Sequence, residues 1–143
     1  MTTLTLRTAR VTYRGADRLD ITRKTADPVG VVFAPSWDIL RPALALREIS
    51  RETRNATGLA DRIGLAERIE NTMWELYASA YRAEMRLSYR EHRATWDAVL
   101  ARRGTLALVC FCVESDHCHR TLAAKILVAA SRGRAVYEGE VAP

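Results

Sequence analysis

The residues best suited to chemistry lie close together near the carboxyl end of the chain. They are Cys110, Cys112, Cys118, His119 and Arg120. A thiolate is a nucleophile or a metal ligand, an imidazole carries protons near neutral pH, and a guanidinium pairs with phosphate or carboxylate groups through two hydrogen bonds. The types and spacing of these side chains predict a functional site in this segment.

The segment that carries them has the pattern of a strand, a polar loop and a helix. Residues 105–113 form a nearly unbroken apolar run, which is typical of a strand buried on both faces in a parallel sheet. Beyond a short acidic stretch, apolar side chains recur at helical spacing from Thr121, and Gly133 is expected to end that helix. The Cys-His-Arg triplet should therefore lie at a helix amino terminus beyond the carboxyl end of a strand, where α/β proteins bind ligands.

The triplet cannot present all three side chains to one ligand atom, because consecutive helical residues point about 100° apart. Cys118 is the cysteine best placed to be reactive, since a helix amino terminus and nearby cations lower the pKa of a thiol. Cys110 is expected to be a core residue, and Cys112 to face the crevice from the strand end. One or two members of the triplet should contact a ligand while another packs inward.

Three kinds of site fit part of this pattern. A phosphatase loop of the Cys-x5-Arg type is excluded, because Cys118 occupies the arginine position when counted from Cys112. A zinc site would draw its ligands from Cys112, Cys118 and His119, with His117 or Cys110 as the fourth. The chain lacks the usual Cys-x2-Cys knuckle, so the sequence assigns no metal and no cofactor. A nucleophilic Cys118 with His119 as proton carrier stays open, although no spacing rule supplies the orienting acid.

The crevice should also be lined by residues that follow the first strand. The stretch LTLRTARVTY alternates loosely and is rich in Thr and Val, which predicts a strand ending at Tyr13 and Arg14. The polar stretch after it carries Arg23 and Lys24 and has no clean period, so we interpret it as a loop. Loop residues that follow a strand face the same crevice as the triplet, and residues 13–25 are thus assigned to it.

The middle of the chain is predicted to be mostly helical. Residues 29–33 form a short apolar run, either a second strand or an extended pass. Pro42 should start the main helix after a single turn at 37–40, because proline inside a helix removes a hydrogen bond. Residues 51–65 are interpreted as a mobile connection or surface insertion. Residues 65–102 form the longest helical region, broken once, with an aromatic stripe expected in the core.

One ridge of that long helical region is basic. Arg82, Arg86 and Arg90 are spaced by four residues, and no carboxylate lies three or four residues away from them. Like charges at this spacing cost roughly a few tenths of a kcal/mol per pair. Solvent, acids from another element such as Asp17 or Asp20, or an anionic ligand must offset this cost. Arg86 is therefore a candidate ligand contact.

The composition is that of one globular domain with a basic surface. The chain has 143 residues, of which 48% are hydrophobic and 27% charged. The first residues lack the apolar core of a signal peptide, and nothing approaches a membrane span, so a cytoplasmic protein is expected. Three clustered cysteines argue against a disulfide framework. The net charge of +5 favours anionic partners such as nucleotides, phosphates or nucleic acid.

The stretch LVCFCVESDHCHRTLAAKIL resembles the carboxyl-terminal signature of the DUF488 family of small bacterial and phage proteins. That signature is a strand, an acidic loop and Cys-His-Arg before a helix, and the family has no assigned activity. The turn Tyr13-Arg14-Gly15 is similar to the end of the family's first strand. The resemblance implies a Rossmann-like fold and a crevice between the first loop and the Cys-His-Arg loop. Tyr13, Arg14, Cys118, His119 and Arg120 are the site residues that it implies.

Taken together, these patterns predict a single α/β domain over residues 1–143: Rossmann-like, three-layered, with a mainly parallel sheet and helices on both faces. A short strand at 135–137 should end the fold, followed by a frayed tail. The leading expectation is that residues 13–25 and 112–120 bind a nucleotide or similar phosphate-bearing small molecule, as a sensor or sequestering protein. The alternatives are a cysteine-assisted hydrolase or transferase acting on a nucleotide or nucleoside, and a nucleic-acid-associated protein that uses the arginine ridge. Oligomeric state is left open, with a homodimer compatible, and no membrane partner is expected.

Overall fold

A computed structural model of the chain describes residues 2–56, 60–112 and 117–142. The described part contains four β-strands and four α-helices, with a short 3₁₀ helix at Gly30–Phe33. The strands are β1 (Leu4–Arg10), β2 (Arg18–Asp20), β3 (Gly104–Cys110) and β4 (Ala135–Glu140). The helices are α1 (Trp37–Asn55), α2 (Ala60–Glu91), α3 (Arg93–Leu100) and α4 (His119–Ala130).

The four strands form one sheet in the order β2-β3-β1-β4, and every pair is parallel. Leu4 pairs with Gly104 and Leu6 with Leu106, so the first strand and the strand before the triplet are neighbours in the centre. An all-parallel sheet with four helices confirms the predicted α/β fold class and is consistent with three layers. Because all strands run the same way, their carboxyl ends meet at one edge of the sheet.

Strand β3 is buried on both faces, as its unbroken apolar pattern predicted. Leu106 through Cys110 are all buried. Leu106 and Leu108 join the main hydrophobic core with Leu4 and Leu6 of β1. On the other face, the loop between β1 and β2 contributes Asp17, which pairs with Arg7 of β1 at 3.0 Å.

The aromatic stripe of α2 is buried in the core, as expected. Tyr77, Tyr81 and Met85 of this stripe are all less than 10% exposed. The second apolar stripe of α2 is only partly covered, and its Leu76 and Leu87 are 63% and 47% exposed. The helical region breaks once, at His92 between α2 and α3, which the sequence also predicted. Within the described residues, no helix is both long enough and apolar enough to cross a bilayer.

The second strand is not where the apolar run indicated. Residues 30–33 form the 3₁₀ helix, and the second strand is β2, inside the polar stretch interpreted as a loop. A three-residue strand is too short to show a period, and only its pairing with β3 reveals it. The 3₁₀ segment is held instead by α2 and α3. The Phe33 carbonyl accepts a hydrogen bond from the Tyr81 hydroxyl at 2.6 Å. The Val32 carbonyl accepts one from the Ser88 hydroxyl at 2.8 Å.

Helix α1 runs without interruption through Pro42, contrary to the predicted start at that residue. The proline lies near the amino end of the helix, so its ring and missing N–H disturb the first turns alone. Of the stretch 51–65, residues 51–55 continue α1 and residues 60–65 begin α2. Residues 57–59 of the predicted mobile insertion lie outside the described residues.

The carboxyl-terminal strand is twice as long as the sequence indicated. The prediction covered residues 135–137 and a frayed tail, whereas β4 extends to Glu140. The physical reason is an ion pair from Glu140 to the buried Arg120, which holds the end of the strand against α4. The residue pattern of the short tail does not predict this ion pair with a distant segment.

Replacing Ser88 by Ala is expected to lower the free energy of unfolding by about 1–3 kcal/mol. The Ser88 hydroxyl accepts from the Trp96 indole at 3.0 Å while donating to Val32, so its loss leaves two buried polar groups without a partner. Urea unfolding followed by circular dichroism measures the change. Ser79→Ala on the exposed side of the same helix is the matched control, and equal midpoints for the two variants would contradict the network's role.

Candidate functional site

A cavity of about 540 Å³ opens at the carboxyl edge of the sheet, between α1, α2 and the first residue of α4. Its volume lies within the range of small-molecule sites, roughly 300–1,000 Å³. Five of the residues predicted for the site line it: Arg23, Lys24, Cys112, Cys118 and His119. A cavity thus lies beside Cys118 and His119, whereas Tyr13, Arg14 and Arg120, which were also expected there, do not line it.

Aromatic rings form one wall of this cavity. Trp74 of α2 stacks on His117, with ring centroids 5.0 Å apart and planes 21° from parallel. It also stacks on Tyr77 at 6.0 Å and 29°. Burial raises the pKa of the Tyr77 phenol, so this ring stays neutral. Trp37 at the start of α1 lines the opening and is 38% exposed.

Among the described residues that line the cavity, the side chains that carry a full charge are basic. Arg23 and Lys24 come from the segment after β2, and Arg47 comes from α1. No Asp or Glu is found among the described residues that line the cavity. The Arg23 guanidinium donates to the Pro35 carbonyl at 3.1 Å, which orients it along the rim. The described lining is thus apolar in its walls and positive at its edge.

The three cysteines meet at the floor of the cavity. The Sγ atoms of Cys110, Cys112 and Cys118 all lie within 4.8 Å of one another. Cys110 and Cys118 are 5% and 1% exposed, whereas Cys112 is partly exposed to the cavity. The end of β3 and the residue that precedes α4 bring them together, so the cluster is a product of the strand-loop-helix turn.

His119 is buried against this cluster and is held in one tautomer. Its Nε2 lies 2.8 Å from the carbonyl oxygen of Ile21, and a carbonyl only accepts, so Nε2 carries the proton. Burial lowers the pKa of His119, which keeps the ring neutral. Its Nδ1 lone pair therefore faces the sulfurs, 3.5 Å from Sγ of Cys110 and 3.9 Å from Sγ of Cys118.

The three thiols cannot ionise independently. Hydrogen bonds from the Cys110 and Cys118 thiols hold the pKa of Cys112 well below its ordinary value. The same sulfur contacts raise the pKa of Cys110 and of Cys118. One negative charge shared among three close sulfurs is the physical cause, because a second thiolate would repel the first. Cys118, the thiol predicted to be reactive, is buried, whereas Cys112, whose pKa is lowered, is the partly exposed member of the cluster.

Arg120 turns away from the cavity and into the protein. Its side chain is fully buried, and it forms an ion pair in which Nη2 lies 2.5 Å from Oε2 of Glu140. Its Nη1 donates to the Cys112 carbonyl at 2.6 Å and lies 3.5 Å from Sγ of Cys118. The guanidinium expected to clamp a ligand instead binds the ends of two strands, because α4 rotates that side chain toward the sheet.

Three other predicted site residues lie apart from this cavity. The Tyr13 hydroxyl donates to Asp17 at 2.6 Å, and Arg14 is exposed on the same loop. That loop is held against the sheet by Arg18, whose Nε donates to the Tyr13 carbonyl at 2.9 Å. Arg86 is exposed on α2 together with the rest of the basic ridge. None of the three is among the residues lining the cavity.

No separate sequence pattern predicts the helical side of the cavity. Trp74 belongs to the aromatic stripe that was expected to be core, and Trp37 and Arg47 look like ordinary surface residues of α1. Their shared position depends on how α1 and α2 pack together, which a local pattern does not report. His117 was named only as a fourth zinc ligand, and its ring stacks on Trp74 instead.

A model of the DUF488-N3a family, described as the active DUF488-N3 subclade, matches residues 2–131. The chain belongs to the DUF488 family. This match spans every described strand and helix except β4 and confirms the resemblance carried by the Cys-His-Arg segment. Searches of curated proteins and of solved structures gave no match.

Replacing Glu140 by Gln is expected to lower the free energy of unfolding by about 2–3 kcal/mol. The change leaves the buried Arg120 charge without its carboxylate partner, and the cost is reduced because the Glu140 side chain is 28% exposed. Urea unfolding measures the effect. Glu138→Gln, on the same strand with an exposed side chain, should shift stability by less than about 0.5 kcal/mol. Similar losses in both variants would mean that the ion pair does not anchor β4.

Proposed function

We propose that the cavity binds an anionic small molecule with a planar aromatic group, of the nucleotide class, and that the protein acts as a sensor or sequestering protein. The observation that carries this is the pairing of a stacked aromatic wall with a rim that is basic and free of described carboxylates. An aromatic wall alone is common in cores, and a basic rim alone is common on surfaces. Their combination around one open cavity favours a ligand that has both a ring and a negative charge.

The aromatic wall supports the base-like part of such a ligand. Trp74 and His117 already stack nearly parallel, so a ring inserted beside them continues an existing stack. Stacking of a base on an aromatic side chain contributes roughly 1–3 kcal/mol and tolerates different bases. Trp37 at the opening offers a second flat surface. This wall favours a planar ring without selecting one base.

The basic rim supports the phosphate-like part. Arg47 and Lys24 are exposed beside the cavity, and Arg23 is already oriented by the Pro35 carbonyl. The first residue of α4, His119, lines the cavity, so the positive end of that helix lies on the same side. Arg120 takes no part, because its guanidinium is bound to Glu140.

A second candidate is catalysis on the same class of ligand by the thiol of Cys112. The matched family model carries the word active in its description, and Cys112 is the cavity-facing thiol with the lowered pKa. A hydrolase or transferase would release a new product from a nucleotide or nucleoside. Liquid chromatography and mass spectrometry of such substrates after incubation would detect it, and unchanged substrate would leave binding alone.

Binding is tested by titrating the protein with adenosine monophosphate, adenosine and inorganic phosphate while following tryptophan fluorescence. Trp37 and Trp74 line the cavity, so a ring that stacks there should change their emission. The nucleotide is expected to bind more tightly than the nucleoside, and phosphate alone to leave the emission nearly unchanged. Mass spectrometry of small molecules released from the denatured protein identifies any natural ligand in parallel.

Arg47→Met is expected to weaken nucleotide binding roughly tenfold or more, because a charged hydrogen bond contributes about 1.5–3 kcal/mol. Arg86→Met removes the same charge from the exposed ridge outside the cavity and should leave the affinity unchanged. Equal losses in both variants would indicate a general effect of net charge. No fluorescence change with any of the three probes, and no released small molecule, would contradict the proposed function.

A further inference from the structure

We propose that Cys110, Cys112, Cys118 and Nδ1 of His119 bind a single zinc ion at the floor of the cavity. The inference is separate from the proposed ligand, because it concerns the four buried or partly buried donor atoms and not the aromatic wall or the basic rim. It also goes beyond the sequence, in which these residues are one of several possible sites, leave the fourth ligand open between His117 and Cys110, and lack the Cys-x2-Cys spacing that would assign a metal.

The distances between the donor atoms suit one tetrahedral ion. With zinc–sulfur bonds of about 2.3 Å, sulfurs on a tetrahedron lie about 3.8 Å apart, and a sulfur and an imidazole nitrogen lie about 3.5 Å apart. The three Sγ atoms here lie within 4.8 Å of one another. Nδ1 of His119 is 3.5 Å from Sγ of Cys110 and 3.9 Å from Sγ of Cys118. Binding an ion thus requires shifts on the order of an ångström or less.

The donor atoms have neighbouring groups that orient them and balance their charge, as zinc ligands require. The Nε2–H of His119 is fixed on the Ile21 carbonyl, which leaves Nδ1 free to ligate. Arg120 places Nη1 3.5 Å from Sγ of Cys118 and 2.6 Å from the carbonyl of Cys112. A positive group beside a thiolate lowers the net negative charge of a site with three thiolates and one Zn²⁺.

Two alternatives for the three cysteines, an iron–sulfur cluster and a disulfide, fit the geometry less well. An iron–sulfur cluster holds several irons between its cysteines and needs a wider spacing of sulfurs than one ion does. A disulfide would join two cysteines and leave the third unpaired, whereas the three are free and mutually close. One zinc ion would instead bind all three sulfurs as thiolates. The three thiol protons would be released to solvent.

A site with four protein donors has no open position, so its role is structural, and a zinc-bound Cys112 would exclude the second candidate function, which needs a free thiol there. It would join the end of β3 to the start of α4 at the point where the cavity floor is formed. The partly exposed Cys112 would then be held in place by the ion, with its carbonyl on Arg120. Loss of the metal would change the shape of the cavity, whereas binding of the metal would not require the anionic small molecule.

The test is elemental analysis of the untagged protein after purification without chelator. About one zinc per chain is expected for the wild type, with a strong loss of zinc in Cys112→Ser. His117→Ala is the matched control, since His117 lies beside the cluster in the cavity wall and is assigned no bond to the metal. This variant should keep its zinc, and Cys112→Ser should keep its far-ultraviolet circular dichroism.

Cobalt replacement and thiol titration give readouts that do not depend on a variant that folds. Cobalt added to the metal-free wild type should give the absorption bands of tetrahedral thiolate coordination, and a thiol reagent should reach three cysteines only after a chelator is added. A folded protein with no zinc, no such bands and three freely reactive thiols would overturn the proposal. So would a disulfide found between any two of the cysteines. A protein that holds zinc but shows no fluorescence change with any of the three probes and releases no small molecule would contradict the proposed function without affecting this inference.

Discussion

The buried guanidinium of Arg120 is the constraint on which the rest of this region depends. A charge without exposure to water costs several kcal/mol unless its hydrogen bonds are met inside the protein. Glu140 supplies the opposite charge from the end of β4, and the Cys112 carbonyl supplies an acceptor beyond β3. One side chain from the first turn of α4 therefore holds the ends of two strands of the sheet. The thiol cluster forms beside it because its cysteines stand on those same segments.

Because of this constraint, the three side chains of the Cys-His-Arg triplet point to different surroundings. Arg120 faces the sheet, while Cys118 and His119 face the sulfur cluster and the cavity. The division follows from the rotation of about 100° per helical residue, which the sequence argument used to predict that one member of the triplet packs inward. The member that packs inward is the one expected to hold an anion. Under the proposed function, recognition of an anion is assigned to the rim residues Arg23, Lys24 and Arg47.

The parts of the fold that the sequence predicted correctly are those that depend on the residue pattern within one segment. The apolar run of β3, the helix after the triplet and the aromatic stripe of α2 all follow from periodicity within one segment, whereas the position of the break at His92 was not predicted. The parts that were missed depend on contacts between distant segments. Strand β2 exists because it pairs with β3, and the 3₁₀ helix at Gly30–Phe33 is held by hydroxyl groups from α2.

By itself, the sequence determined the fold class and the family and predicted a site at the end of β3, because burial patterns and the Cys-His-Arg segment are local properties. Only the tertiary structure decided what each candidate site residue contacts. The closeness of three sulfurs, the tautomer of His119 and the partner of Arg120 are distances between atoms that different segments carry. Such distances are set by how β2, β4, α1 and α2 pack around the strand-loop-helix turn, and no spacing along the chain encodes them.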